Sequence, residues 1–431
     1  MHLAATVAGD LADLPAGPLG MAAGVEYREE KGGVQTSGVV QSGDSGGNFA
    51  EPTSGKYDVT EIYTEFAVPL VTGAQGAEEI SMDLAGRYSD YDTIGSEFTY
   101  KFALSWVPVE SLRFRGTYAT GFRSPNILEA FGGVADVFNT VTDPCTAPIS
   151  DPNVQANCSA DGVPPGFVQP AAQLKISQGG NEELDAETSE SFSLGFVWQP
   201  ASVPLRIAVD WYDVEVDDAI GTPNPVNVIQ ACYNSPGGSL SAPECGRIGR
   251  GPAGDVVRFD LLNENLATIK TSGIDLDTTY TFTTEFGQIQ VDWLVNWLDE
   301  WVQETDTGEV EDRTDLVAGL VSDWAAYPEW RSNLKATLAR DNWSVGINYR
   351  YLDKMEVFDA IDFDNVTLTA DAQHYFDIDG SYTMGPWSFQ AGVQNVTDEE
   401  PPYVPDVSAN TSGIYDFMGR LFYARASVSF E

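Results

Sequence analysis

From near Gly20 to Phe430 the chain alternates apolar and polar residues in about fourteen separate stretches. Phe98, Tyr100, Phe102, Leu104 and Trp106 form one apolar series, and Thr99, Lys101, Ala103 and Ser105 fall between them. Trp343, Val345, Ile347, Tyr349 and Tyr351 alternate in the same way with Ser344, Gly346, Asn348 and Arg350. So do Phe192, Leu194, Phe196 and Trp198 with Ser191, Ser193 and Gly195. Successive side chains of a strand point to opposite faces, so each stretch predicts a strand with one greasy wall and one wet wall. The connections carry a second pattern. Short turns at 107–111, 199–204, 340–342 and 384–386 alternate with long polar excursions at 31–57, 126–188, 217–268, 301–328, 352–370 and 396–419. The connection 89–96 is short where a long one is expected. An antiparallel meander in water has no reason to gather its long loops at one end, whereas an outer-membrane barrel does. A soluble β-sandwich shows the same alternation but uses fewer strands. Phe98 and Trp106 would stand about 20 Å apart along a membrane normal, at roughly 3.3 Å per residue and a tilt of about 40°, which suits aromatic girdles. The predicted fold is all-β: a transmembrane antiparallel β-barrel.

Composition changes this picture little. Mean hydropathy is −0.19, and no apolar run reaches the ~18 residues of a membrane helix. Barrels escape such scans because every second residue faces the lumen. The net charge of −43, from 65 acidic and 22 basic residues, argues against a nucleic-acid partner. Much of the acid lies in or beside the long loops, at Asp217, Asp218, Glu300, Glu304, Asp306, Glu309, Glu311 and Asp312, as expected of a solvated, self-repelling outer surface. Asp359, Asp362 and Asp364 could bind a divalent cation, but they lack the glycine and distal glutamate of a calcium loop. No metal site is assigned.

The cysteines form two pairs of equal spacing, Cys145 with Cys158 and Cys232 with Cys245, each inside one long loop. Strand parity puts both loops on the same, outer side. Neither pair has a CxxC spacing or a nearby histidine, as a metal site would. Two local disulfides closing loops of about a dozen residues are expected, as in an oxidising compartment. Catalysis finds no support. The two histidines are His2 and His374, and His374 shares its face with Phe376 and Ile378. No P-loop, dinucleotide fingerprint or zinc motif is present, so neither enzyme nor cofactor is predicted. On the wet faces, Arg113, Arg115 and Arg123 share one strand, opposite Leu112, Phe114, Tyr118 and Phe122. Arg87, Arg206, Arg331, Arg350 and Arg425 also take inward phases, as do Asp83, Asp210, Asp275, Asp277, Asp292, Asp377 and Asp379. They form either a mutually paired, hydrated wall or, at Arg113, Arg115, Arg123 and Arg350, a substrate-facing surface.

The run Gly116–Asn126 with Glu129, Ala130 and Phe131 resembles a central box of the TonB-dependent outer-membrane receptors. Residues 181–191 resemble the box that follows. Gly273–Leu276, Gln394–Asp398 and Gly419–Tyr423 resemble later features in the expected order, and Leu14–Gly20 resembles the start of a mid-barrel strand. The resemblance covers essentially all of residues 1–431. It implies a 22-stranded barrel plugged by an N-terminal domain, of which this chain would supply the C-terminal two-thirds of the barrel. The plug, the energy-coupling box and about eight strands would be absent. The start at Met1-His2-Leu3 has no basic n-region or apolar h-region, which agrees with that expectation. Glu431 after Phe430 departs from the family's aromatic terminus. By this resemblance the protein sits in the outer membrane of a Gram-negative bacterium, in contact with its lipid. It would import a scarce, bulky nutrient (a siderophore, cofactor or oligosaccharide) with energy from the TonB-ExbB-ExbD system, reached through the missing N-terminal region. Haem is disfavoured, because no histidine lies between the Phe122-Arg123-Ser124-Pro125 box and Asn181. The Cys232–Cys245 loop with residues 246–250 resembles receptors for carbohydrates or other organic nutrients. A second reading is a passive channel, a complete 14-stranded barrel closed by pairing Gly20–Arg28 with Leu421–Phe430. A third is a soluble β-sandwich binding protein.

Overall fold

The computed structural model describes residues 1–238, 240–304, 310–317, 326–357, 369–402 and 414–430. Its main sheet has 16 strands, and setting aside Val310–Asp312, which pairs with one neighbour off the path, leaves fifteen in a single antiparallel meander. These are His2–Leu14, Gly17–Val34, Thr53–Ala74, Ala77–Tyr91, Gly95–Val109, Leu112–Arg123, Glu187–Trp198, Leu205–Gly221, Glu264–Thr284, Gly287–Glu304, Trp330–Arg340, Trp343–Leu352, Gln373–Met384, Trp387–Gln394 and Leu421–Val428. The connections alternate as the sequence predicts, and 92–94 is the single short one at the long-loop end. Tight turns at the other end use residues that tolerate positive φ, among them Gly76, Asp341 and Gly385, as hairpins demand.

The first strand begins earlier than expected. His2–Leu14 precedes Gly20, and Asp10 to His2 pair with Gly20 to Arg28. Ala4, Ala5, Ala8 and Gly9 gave it a weak alternating signal. On the other side Gly20–Arg28 pairs with Val59–Ala67, so it cannot also take Leu421–Phe430 as the passive-channel reading requires. The first and last of fifteen antiparallel strands also run in the same direction, so the ladder cannot close on itself by an antiparallel pair. Among the described residues both outer edges are unpaired.

Burial separates a membrane wall from a soluble sandwich. A sandwich hides its apolar face in a core. Here Phe98, Tyr100, Phe102, Leu104 and Trp106 are between 40 and 62 % exposed. The register carries that face sideways, from Leu84 through Phe102 to Tyr118 and Phe192. Trp106 stacks on Phe114 with ring centroids 5.3 Å apart. Leu104→Arg should cost about 2–4 kcal/mol if that position lies at mid-membrane and lower the yield of heat-modifiable barrel on gels. Ala103→Arg, one residue away on the wet face and opposite Asp83, should not.

The long loops build the molecule's real core. Ile248–Arg250, Val256–Leu262, Gln173–Gly179 and Ala135–Thr140 form a four-stranded sheet from two different loops. The loop before Thr53 extends its edge: Asp136 N–H donates to Phe49 C=O at 2.9 Å and Glu51 N–H to Val134 C=O at 2.8 Å. Helices Pro152–Ala160 and Pro225–Asn234 cover one face, each started by proline in its first turn and capped by Asp151 or Asn224, the expected N-terminal chemistry. Leu174, Ile176, Phe259, Leu261, Ile229 and Tyr233 fill the space between. A smaller cluster of Val317, Met355, Val357, Ala370 and Tyr415 joins the last three long connections. Asp306, Glu309, Asp359, Asp362, Asp364 and Glu431 lie outside the described residues.

Candidate functional site

The outer mouth is where the wet wall meets this cap, and the residues that hold it together are charged. Both disulfides are formed, Cys145–Cys158 and Cys232–Cys245, and all four sulfurs belong to the one cap core. Arg250, from the second loop, reaches Asp143 in the first, with Nη1 at 2.6 Å and Nη2 at 2.8 Å from its carboxylate oxygens. The two side chains are 2 % and 1 % exposed. The guanidinium also lies over the Tyr233 ring, 4.7 Å from its centroid. Its Nε donates to the Tyr233 hydroxyl, which in turn donates to Asp161. Burial and that bond to Asp161 push the Tyr233 phenol up. Burial alone would depress Arg250, and the bonds to Asp143 outweigh it. Asn157 adds a second link between the loops, donating to the carbonyls of Tyr233 and Ser235.

The segment after Leu112–Arg123 is a fastening. Asn126 caps helix Ile127–Phe131 by accepting from Leu128 and Glu129 N–H, and Glu129 returns a bond from Asn126 N–H at 2.8 Å. That is a capping box. Arg123 ties it to the wall, bonding Glu129 at 2.7 Å and Glu187 at 2.6 Å. Arg115 bonds Asp210 across Gly195. A Cβ at Gly195 would collide with the Asp210 carboxylate, so this glycine is what lets the pair form. Arg350 bonds Asp377 and Asp416 and lies 4.8 Å from the Tyr375 centroid. Arg113 has the loosest partner, Glu79 at 3.9 Å, with a bond to the Ser105 hydroxyl. Arg87 pairs with Glu61 and Glu26, and Arg206 with Asp277. The structure does not gather the four candidate arginines. Five strands separate Arg350 from the strand that carries Arg113, Arg115 and Arg123.

His374 stands outward as its phase predicts, its Nδ1 2.8 Å from the Tyr349 hydroxyl. Among the described residues no group of three or more histidine, cysteine or acidic side chains is placed to hold a metal ion. The cap core itself was not anticipated. Its signal was present in the short alternations Leu174/Ile176 and Phe259/Leu261 inside segments otherwise rich in Gly, Pro and Asp. In the smaller cluster, burial and the charge of Asp353 push the Asp315 carboxyl up to about 6 from 3.8. The folded loop then holds its proton more tightly than the unfolded chain does. The associated stability is present below about pH 3.8 and is lost as pH rises through about 6. Proteolysis of segment 310–317 should therefore be slower at pH 5 than at pH 7.5, and Asp315→Asn should flatten that difference.

The family described as "TonB dependent receptor-like, beta-barrel" matches residues 4–396. Among solved structures, the chain is similar over its full length to the ferric enterobactin receptor of Pseudomonas aeruginosa in complex with enterobactin, at TM-score 0.66 and 16% identity. The siderophore receptor PirA of Acinetobacter baumannii gives TM-score 0.63 at 14% identity, again over 100% of this chain. The FrpB iron transporter of Neisseria meningitidis gives 0.56 at 12% identity over 98% of this chain. The chain spans about half the length of these proteins: 54%, 54% and 53%. At such identities the structural likeness establishes the fold, and the match across residues 4–396 establishes the kinship: this chain belongs to the TonB-dependent receptors, within their β-barrel.

Proposed function

We propose that the protein carrying this chain imports a scarce, bulky nutrient across the outer membrane of a Gram-negative bacterium. The energy would come through TonB-ExbB-ExbD, contacted by a plug and coupling segment outside these 431 residues. The observation that carries the reading is the barrel family match over 4–396, joined to a cap that three long loops build at one end of the wall. Siderophores lead the cargo classes, because the structural neighbours carry that description. Cofactors and oligosaccharides follow. No catalytic role is assigned. Cells lacking the gene should fail to grow on at least one member of a panel of ferric siderophores, cobalamins and oligosaccharides as limiting nutrient, and cells lacking TonB should fail identically. Uptake that survives collapse of the proton gradient would overturn import by energy coupling and leave passive diffusion.

A further inference from the structure

Helix Ile127–Phe131 lies on the inner wall at the mouth. Phe131 packs where a Cβ on Gly55 would collide, and Ile127 sits against Gly32. Both glycines share the inward phase of Glu26 and Glu61. Between this helix, Tyr57, the connection 92–94 and residues 181–184 is a cavity of about 240 Å³. Ala130 and Leu184, 8 % and 4 % exposed, are the buried part of its lining. Two rings, Tyr57 and Phe131, form its walls, and Asp92 and Glu182 stand at its rim.

We propose that this pocket takes an organic cation: an ammonium group carried on a compact apolar body. No basic residue lines the cavity. The Tyr57 hydroxyl donates to Glu30 at 2.9 Å, and Glu30 is itself paired with Arg28 at 3.0 Å, so it adds no unpaired charge behind the ring. The Asn181 amide is committed, donating to Asn263 C=O and accepting from Glu183 N–H. An anion entering here would meet two carboxylates and no basic residue in the lining. An ammonium would meet those carboxylates and two aromatic side chains, the residue types that together recognise organic cations. A hydrated inorganic ion would make no use of Ile94, Ala130, Phe131 and Leu184 in the lining. The wider field acts the same way. The wall's and cap's arginines are largely spent on neighbouring carboxylates, as at Arg87, Arg115, Arg123, Arg250 and Arg350, while the chain keeps a net charge of −43. Such a mouth concentrates cations.

This names a cargo class for the import reading and rests on that reading only for the step after binding. Receptor in outer-membrane vesicles would be titrated with phenethylammonium, phenylethanol and phenylacetate. The ammonium should bind at least about tenfold tighter than the other two, and added salt should weaken it. The double variant D92N/E182Q should lose about tenfold, and the distant turn variant Glu110→Gln should lose nothing. Equal binding of the three probes, or unchanged ammonium binding in a heat-modifiable double variant, would overturn the inference. Binding that persists without energised uptake would sink the import reading alone. Energised uptake of another cargo without ammonium binding would sink this inference alone.

Discussion

Replacing Arg250 by methionine is expected to unfold the surface cap while the strand wall stays intact. Arg250 and Asp143 are 2 % and 1 % exposed, and removing one partner strands the other's charge in a dry core. That costs about 3–5 kcal/mol, whereas an exposed pair contributes about 0–1 kcal/mol. The wall does not depend on this pair, because its ladder runs strand to strand beneath the cap. Limited proteolysis on intact cells should cut segments 124–186 and 222–263 in Arg250→Met, with heat-modifiable migration retained. Arg250→Met combined with Asp143→Leu should recover much of the loss, since no charge is then buried alone. Arg113→Met should change little, because its partner Glu79 is 3.9 Å away and both side chains are nearly half exposed. A cap as resistant in Arg250→Met as in the parent would refute the clamp.

The 431 residues made alone are expected to aggregate rather than insert as monomers. Among the described residues, the edge strands His2–Leu14 and Leu421–Val428 each have a ladder partner on one side only. In hydrocarbon each unpaired backbone group costs several kcal/mol by order of magnitude, and free edges recruit other chains. Supplying strands that pair with both edges should give a heat-modifiable barrel. A monomeric, protease-resistant and conducting barrel from these residues alone would mean that the sheet closes by a parallel seam, and the passive channel would return.

The wall was legible in the sequence because a membrane strand repeats one simple rule. Phe98 to Trp106 and Trp343 to Tyr351 show it, and each outward residue stands where its phase places it. Loop parity and the cysteine pairs were legible for the same reason, since both follow from counting. His2–Leu14 was missed because alanines and Gly9 supply little contrast between faces. The cap was missed for a different reason. Its core joins Leu174 and Ile176 to Phe259 and Leu261, about eighty residues away in sequence, and short alternations inside polar loops do not announce their partners. The arginines of the wet phase, among them Arg115, Arg123 and Arg350, find carboxylate partners. Their carboxylate partners come from register: Asp210 meets Arg115 because Gly195 stands between them, and one sequence does not reveal register.

The account's central claim is that the exposed apolar face of this sheet lies in lipid. Single-cysteine spin labels at positions 98 to 106, in receptor held in outer-membrane vesicles, would report it most directly through accessibility to oxygen and to a water-soluble nickel chelate. Oxygen should dominate at 100, 102 and 104 and the chelate at 101, 103 and 105, with the contrast falling toward 98 and 106 at the two interfaces. Chelate access equal on both phases, or an inverted alternation, would contradict a membrane wall and return the chain to a water-soluble fold.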